Sequence, residues 1–224
     1  MGTKKIVGIC IIMLVLGVTL HSVTGTEINN KKVNMFQPPV EWSKTYGGDM
    51  IDWGNCIQQT SDGGYIISGT NFRNAWSLWY SYYYLIKIDA SGNELWHQIY
   101  GEYNRENIAN SVQQTSDSGY IIAGYEGNAG MYDAIVQKTD DKGNIVWERV
   151  FGEPDLFDKA FSVQQTLDGG YIITGMTGSY GANGLDLLLI KLNSDGTDSW
   201  IKVIGGDYNE AGTSVMQTND GGFF

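Results

Sequence analysis

The sequence predicts an all-β fold made of tandem four-stranded antiparallel units, about three and a half of them in 224 residues. A motif close to QQTSDGGYIISG recurs four times, with its first residue at Gln58, Gln113, Gln164 and Met216. A tryptophan recurs in step with the motif, at Trp42, Trp96, Trp147 and Trp200. Because helical patterns are absent, the shared period of roughly 50 residues indicates one unit of β-structure per repeat, which buries its apolar faces against its neighbours.

Each repeat contains four short strand candidates separated by turn signals. In the second repeat they span 110–115, 120–124, 134–139 and 145–151. Ser-Asp-Ser-Gly joins the first two candidates, and an Asp-rich turn with glycine joins the last two, as expected for tight hairpins. Near-continuous apolar runs such as YIIAG favour sheets that are covered on both faces.

Four antiparallel strands in roughly 52 residues are typical of a β-propeller blade. We therefore predict a β-propeller-like array with units starting near residues 42, 96, 147 and 200. The fourth unit stops at Phe224, inside its second strand, so the array is expected to be open or incomplete. An exposed blade edge favours self-association.

The acidic turn followed by Gly-x-x-x-Trp at 89–96 resembles the tryptophan-docking repeat of quinoprotein-type propellers. Over 41–224 the tandem units are more similar still to repetitive secreted β-propeller proteins of bacteria and archaea. Quinoprotein dehydrogenases carry a vicinal cysteine pair and a calcium cluster, whereas Cys56 is the only cysteine after residue 25. The resemblance therefore implies the fold and no cofactor.

The N-terminal segment is typical of an export signal. Lys4 and Lys5 precede an apolar stretch, 6–20, which is shorter than the about 20 residues that a membrane-spanning helix needs. We predict a signal peptide at 1–25, a polar linker at 26–40 and the repeat domain at 41–224. The mature protein is then secreted or at the cell surface, without membrane insertion.

The formal net charge of −11 disfavours nucleic acid as a partner, because phosphate backbones are repelled. One cysteine beyond the signal allows no intrachain disulfide, and Cys56 is predicted to be a small buried strand residue. His97 is the only histidine beyond the signal, which removes the usual catalytic triad and most zinc sites. No catalytic, cofactor-binding or metal-binding residues are therefore assigned, and the tryptophans are predicted to be core residues.

Carboxylates and their amide analogues recur in register. One series stands eight residues before the motif threonine, at Asp52, Asn107, Asp158 and Glu210. A second stands five residues before a strand lysine, at Asp133 and Asp186. Such residues at equivalent heights either line a pocket for a cation or a glycan hydroxyl, or cap turns and satisfy backbone donors.

The least repetitive segment lies between Gly69 and Asp89 and is rich in aromatic residues. Tyr82 takes the place that Asp133 and Asp186 hold in the next two repeats. Trp and Tyr offer large contact areas with a polar tip, which suits recognition of sugar rings or proteins. The candidate ligand-binding residues are Trp76, Trp79, Tyr80, Tyr82, Asp133 and Asp186.

Together these features predict an exported, non-catalytic propeller module that binds a protein or a glycan at the cell surface. Two alternatives remain open. One is an extracellular polysaccharide hydrolase that uses rim carboxylates as acid and base. The other is a scaffold for assembly of the cell envelope.

Overall fold

The computed structural model describes residues 42–48, 51–75 and 78–224, so the predicted signal peptide and linker lie outside the described residues. All regular structure in these ranges is β-strand. The first repeat forms β1 (Asp52–Gln59), β2 (Tyr65–Ala75), β3 (Leu78–Ile88) and β4 (Glu94–Tyr100). The second forms β5 (Glu106–Gln114), β6 (Tyr120–Asn128), β7 (Met131–Thr139) and β8 (Ile145–Phe151). The third forms β9 (Asp158–Gln165), β10 (Tyr171–Thr177), β11 (Asp186–Leu192) and β12 (Asp198–Ile204).

Each repeat is one antiparallel sheet whose strands lie in sequence order, β1-β2-β3-β4, β5-β6-β7-β8 and β9-β10-β11-β12. This confirms the predicted all-β class and the four-stranded unit. Several strands are longer than their apolar runs suggest. For example, β6 and β7 remain paired as far as Asn128 and Met131, because ladder hydrogen bonds continue into polar sequence toward a tight hairpin.

Successive sheets pack face to face through apolar side chains. One core cluster joins the first two sheets and contains Ile66, Leu85, Val112 and Ile122. A second joins the second and third sheets and contains Val136, Val163, Ile173 and Leu188. Because strands such as β6 contribute residues to both clusters, the middle sheet is apolar on both faces, which explains the unbroken run YIIAG.

The glycine that ends each of the first three copies of the motif faces a β-bulge. The first strand of every sheet carries one extra residue, at Asn55, Asn110 and Phe161. A Cβ built on Gly124 would lie 1.9 Å from the carbonyl oxygen of Ile108 on the neighbouring strand. A side chain has no room there, so the bulge requires this glycine. The bulged Asn55 and Asn110 use their amides to reach the next sheet, where they donate to Ala109 O and Ala160 O at 2.9 and 2.8 Å.

Trp96, Trp147 and Trp200 lie on the last strand of their sheets and pack against the following unit, and Trp42 packs in the same way against the first sheet. Trp96 meets the Tyr120 ring edge-on, with centroids 5.8 Å apart, and Trp147 meets Tyr171 in the same way at 5.6 Å. Trp42 contacts Tyr65, and Trp200 contacts Phe223, with the same geometry. All four tryptophans are half-buried, and Trp42, Trp96 and Trp147 pack against core clusters, which agrees with the predicted structural role.

The motif glutamines form a two-way clasp between neighbouring units. The first glutamine of one motif accepts a hydrogen bond from the backbone N–H of the second glutamine in the next motif, as Gln58 does from Gln114 at 2.6 Å. Gln114 in turn accepts from the backbone N–H of Ser61 at 2.8 Å. The same exchange joins the second unit to the third and the third to Gln217. These bonds fix the spacing of the units at the hairpin end of the sheets.

A buried lysine on the third strand of each sheet pairs with the aspartate of the β-hairpin. Lys138 has a side chain that is 5% exposed, and its Nζ lies 2.9 Å from Asp117 Oδ2. Lys87 with Asp62 and Lys191 with Asp168 repeat this ion pair at 2.9 Å. The lysine amines also donate to strand carbonyls, and the aspartates accept from the motif threonine and a backbone N–H.

Replacing Asp117 with alanine is expected to lower the free energy of unfolding by about 2 kcal/mol, because the buried Lys138 ammonium loses its carboxylate partner. Urea titration of both proteins measures this difference. Adding Lys138→Met to the Asp117→Ala chain should recover most of the loss. Among the described residues Asp220 makes the same threonine and glycine bonds without a lysine, so Asp220→Ala is the matched control and should change stability by less than about 1 kcal/mol.

The same ion pairs give an expected pH dependence. Hydrogen bonds from Lys87 and Thr60 lower the pKa of Asp62 to about 2, and those from Thr166 and Lys191 lower that of Asp168 to about 2. Because the folded-state pKa values are below the ordinary one, this contribution is present above about pH 4 and is lost as the pH falls toward 2.

Candidate functional site

The candidate residues that the structure describes lie toward one end of the sheets, where the β2–β3 type hairpins and the connections between units are found. Trp76 lies outside the described residues, and Trp79 is placed only by its backbone, which pairs with Asn74. The other four candidates fall into two groups. Tyr80 and Tyr82 belong to an aromatic cluster on β3, while Asp133 and Asp186 belong to separate acidic pairs on the next two sheets.

The aromatic cluster is formed by Tyr80, Tyr82 and Tyr103. Tyr80 and Tyr82 are two residues apart on β3, so they share one face, and their ring centroids lie 5.9 Å apart. Tyr103, in the connection between β4 and β5, packs on Tyr80 at 5.0 Å and is 71% exposed. The cluster presents an aromatic ring to solvent above two half-buried ones. Sequence analysis missed Tyr103 because it is separated by about 20 residues of chain from the aromatic-rich segment.

A buried asparagine holds the loop that carries Tyr103. Asn107 is fully buried, and its Nδ2 donates to Ser81 O at 2.6 Å and to the carbonyl oxygens of Glu102 and Arg105 at 3.2 Å each. Its backbone N–H donates to Ser81 Oγ at 3.0 Å. Three carbonyls from two chain segments therefore converge on one amide. This arrangement fixes the 101–106 connection against β3 and with it the position of the tyrosine ring.

Charged groups lie in and beside the connection that carries Tyr103. Arg105 Nη1 lies 2.9 Å from Glu126 Oε1, which places a guanidinium next to a carboxylate on β6. Burial raises the pKa of Glu126, and Arg105 opposes this effect. Tyr132 donates to Glu106 Oε2 at 2.9 Å, and burial raises the pKa of this tyrosine to about 12. These groups already pair with one another, which ties the 101–106 connection to the second sheet.

The ammonium group of Lys159 is surrounded by a cage of three aromatic rings of the same chain. Its Nζ lies 3.7, 4.2 and 4.7 Å from the ring centroids of Tyr125, Tyr132 and Phe157. Burial lowers the pKa of Lys159, and nearby Glu106 opposes this effect. Since cation–π contacts stabilise the ammonium ion, the cage joins β9 to the second sheet. It serves packing between the two sheets.

The carboxylates that recur in register also meet in space. Asp133 of the second unit and Asp158 of the third lie side by side. A Cβ built on Gly152 would lie 2.4 Å from Asp133 Oδ1 and 2.8 Å from Asp158 Oδ2, so the two carboxylates meet at this glycine. Asp158 is fully buried and accepts hydrogen bonds from the hydroxyl groups of Thr177 and Ser179. Burial raises the pKa of Asp158, and burial and the neighbouring Asp158 raise that of Asp133. A carboxylate enclosed in this way has no path to a substrate.

His97 is exposed on β4, and Cys56 is half-buried on β1. His97 points away from the Trp96 side of β4, is exposed, and has its Nδ1 2.7 Å from Glu94 Oε1. Cys56 lies in β1, packs against the core and donates its thiol to Val112 O at 3.7 Å, but it is half-buried and not buried as predicted. It stands where Ser111 and Ser162 occur in the other units, and those serines accept from backbone N–H groups.

A shallow groove is present at the opposite end of the sheets, between the hairpins of the third and fourth units. It is lined by the clasp glutamines Gln113, Gln164, Gln165 and Gln217 and by Leu167. Because the side-chain oxygens of these glutamines already accept hydrogen bonds between units, the groove belongs to the packing of the array.

Among the described residues, no group of three or more His, Cys, Asp or Glu side chains has the arrangement of a metal site. In the same part of the chain no helix is both long enough and apolar enough to cross a membrane. A scan against protein-family models found no match, and a search of curated proteins found no significant relative.

Proposed function

We propose that this chain is an exported β-propeller-type module that binds a glycan at the cell surface without chemical turnover. The observation that carries the proposal is the cluster of Tyr80, Tyr82 and Tyr103, because an exposed ring supported by two others offers a rigid stacking surface for a sugar. Arg105 lies on the same connection as Tyr103, two residues along the chain, and its ion pair with Glu126 ties that connection to β6.

The propeller arrangement is supported by the contacts between units. Four-stranded sheets with sequential strands pack face to face, and edge-on tryptophan contacts recur at each step. The segments that flank the three sheets repeat the same contacts, through Trp42 with Tyr65 and Trp200 with Phe223. Export and surface location are supported by the N-terminal sequence, with its basic residues and short apolar stretch.

The non-catalytic part of the proposal is supported by the state of the carboxylates. A glycosidase needs two accessible carboxyl groups on either side of the scissile bond. In the Asp133–Asp158 pair, the carboxyl group of Asp133 is half-buried. The carboxyl group of Asp158 already accepts hydrogen bonds from the hydroxyl groups of Thr177 and Ser179. Its geometry is that of a packed junction between two sheets.

Replacing Tyr80 and Tyr103 together with alanine is expected to weaken glycan binding at least tenfold, which corresponds to about 1.4 kcal/mol, since two stacking rings are removed. The purified chain and its variants are applied to an array of neutral and acidic oligosaccharides, and hits are quantified by titration calorimetry.

Tyr208→Ala is the matched control. Tyr208 is 81% exposed and lies in the connection that follows β12, outside the aromatic cluster. Its replacement should leave binding unchanged. The proposal is contradicted if the control and the double variant lose binding equally, or if the array gives no hit. Capture of proteins alone points to the protein-binding alternative. Release of reducing sugar from a bound glycan supports the hydrolase alternative.

A further inference from the structure

Asp186, the first residue of β11, carries a buried carboxylate oxygen that no group in the described part of the chain satisfies. The residue is 5% exposed. Its Oδ2 accepts from the backbone N–H of Asn183 at 3.2 Å, whereas within the described residues its Oδ1 has no hydrogen-bond partner. Burying such an oxygen without a donor is unfavourable, so a ligand at Oδ1 would stabilise the fold.

A second carboxylate faces the same space. A Cβ built on Gly205 would lie 2.3 Å from Asp186 Oδ1 and 2.7 Å from Glu210 Oε2, so the two oxygens are at most about 5 Å apart. Since residue 205 is glycine, no side chain fills the gap. Two negative oxygens this close repel each other unless a cation or a proton lies between them.

The backbone holds both carboxylates in place. Glu210 N donates to Leu185 O at 2.7 Å, and Leu185 N donates to Asn209 Oδ1 at 3.2 Å. Gly206 N donates to Glu210 Oε2 at 3.3 Å. Residues 205–210 are thus bound to the start of β11, and the two oxygens face each other without a further conformational change.

One unit earlier, Asp133 and Asp158 form the equivalent junction at Gly152, where the buried carboxylate has hydrogen-bond donors. There Asp158 accepts from two hydroxyl groups, those of Thr177 and Ser179. Asp186 Oδ1 receives no such donor among the described residues, and Glu210 is half-buried with access to solvent. The two junctions therefore share the acidic register, but of the two only the one at Gly205 combines a buried carboxylate oxygen that lacks a donor among the described residues with a partly exposed carboxylate beside it.

We propose that Asp186 and Glu210 bind one Ca²⁺ ion, which joins the start of β11 to the 205–210 connection. Ca²⁺ is bound by carboxylate oxygens at about 2.3–2.6 Å and tolerates irregular geometry, and water completes its shell of six to eight ligands. Mg²⁺ requires a near-ideal octahedron and fits this irregular pair less well. Because the protein supplies two carboxylates, the dissociation constant should be on the order of 10⁻⁴–10⁻³ M, as in weak extracellular sites.

Calcium titration of the purified chain tests the site. Equilibrium dialysis should find one ion per chain that Glu210→Gln removes, and the melting temperature of the parent chain should rise by roughly 5–10 °C when Ca²⁺ reaches 100 times its dissociation constant. Asp207→Asn is the matched control, because Asp207 is exposed in the same connection and its replacement changes the net charge equally. The control should keep the binding stoichiometry and the shift in melting temperature.

Asp186→Asn provides a second variant, and it should also lose calcium binding. If it melts too low to be studied, Glu210→Gln, on a half-buried residue, still decides the question. Absence of bound calcium in the parent chain overturns the proposal, as does an equal loss of binding in Asp207→Asn. A melting temperature of the parent chain that does not change with calcium also overturns it.

Discussion

Replacing Trp147 with alanine is expected to lower the free energy of unfolding by about 3 kcal/mol, the lower end for a large aromatic residue because the ring is half-buried. The indole packs edge-on against Tyr171 at 5.6 Å and covers the turn of the third unit. A Cβ built on Gly196 in that turn would lie 2.9 Å from the indole. Removal of the ring therefore opens a gap between two sheets that the rigid strands cannot close.

Urea unfolding followed by circular dichroism measures the effect. Trp53→Ala is the control, because Trp53 is 51% exposed and contacts mainly the Phe72 ring, at 4.6 Å. The control should lose less than about 1.5 kcal/mol. If Trp147→Ala loses under about 1 kcal/mol, the recurrent tryptophans do not hold the units together.

Replacing Asn107 with aspartate is expected to lower the free energy of unfolding by about 3 kcal/mol at pH 8. The change looks harmless in sequence, since Asp52 and Asp158 hold the same position in other units. However, the Asn107 amide donates to three carbonyl oxygens, and a carboxylate there would face acceptors only. The substitution should also loosen the connection that carries Tyr103.

The pH dependence of this variant follows from burial. A carboxyl group at this position would have a folded-state pKa above its ordinary value near 4, because the charged form is disfavoured. The loss of stability should therefore be small at pH 4 and should grow as the pH rises to 8. Asn128→Asp, on an exposed residue of the same sheet, adds the same charge and should change stability by less than about 0.5 kcal/mol at either pH. Equal losses at both pH values would contradict the explanation.

Much of the fold was predictable because it repeats. The glutamine motif and the tryptophan recur with one period and define the unit. Glycine in the hairpins and apolar runs between them define its four strands. The structural roles of Trp96 and His97 follow from strand alternation, which puts neighbouring residues on opposite faces. Strand ends were less predictable, because pairing in the β6–β7 ladder continues through polar residues such as Glu126 and Asp133.

The candidate site was predictable only in part. Composition singled out Tyr80 and Tyr82, but their third ring, Tyr103, comes from a different segment, and only tertiary packing brings it near. The sequence also assigned no metal-binding residue, and the proposed calcium site departs from that expectation. In the described part of the chain, the buried Oδ1 of Asp186 has no donor, and this depends on atomic surroundings that residue spacing does not encode.

By itself the sequence determined the repeat, the strand order and the positions that recur in register, because these are properties of local pattern and period. Only the tertiary structure decided what each recurrent position does. One register series holds Asn107 as a donor to three carbonyls, Asp158 as an acceptor from two hydroxyls and Glu210 beside another carboxylate. The physical reason is that the role of a polar side chain is set by the partners packed around it, and those partners belong to neighbouring units.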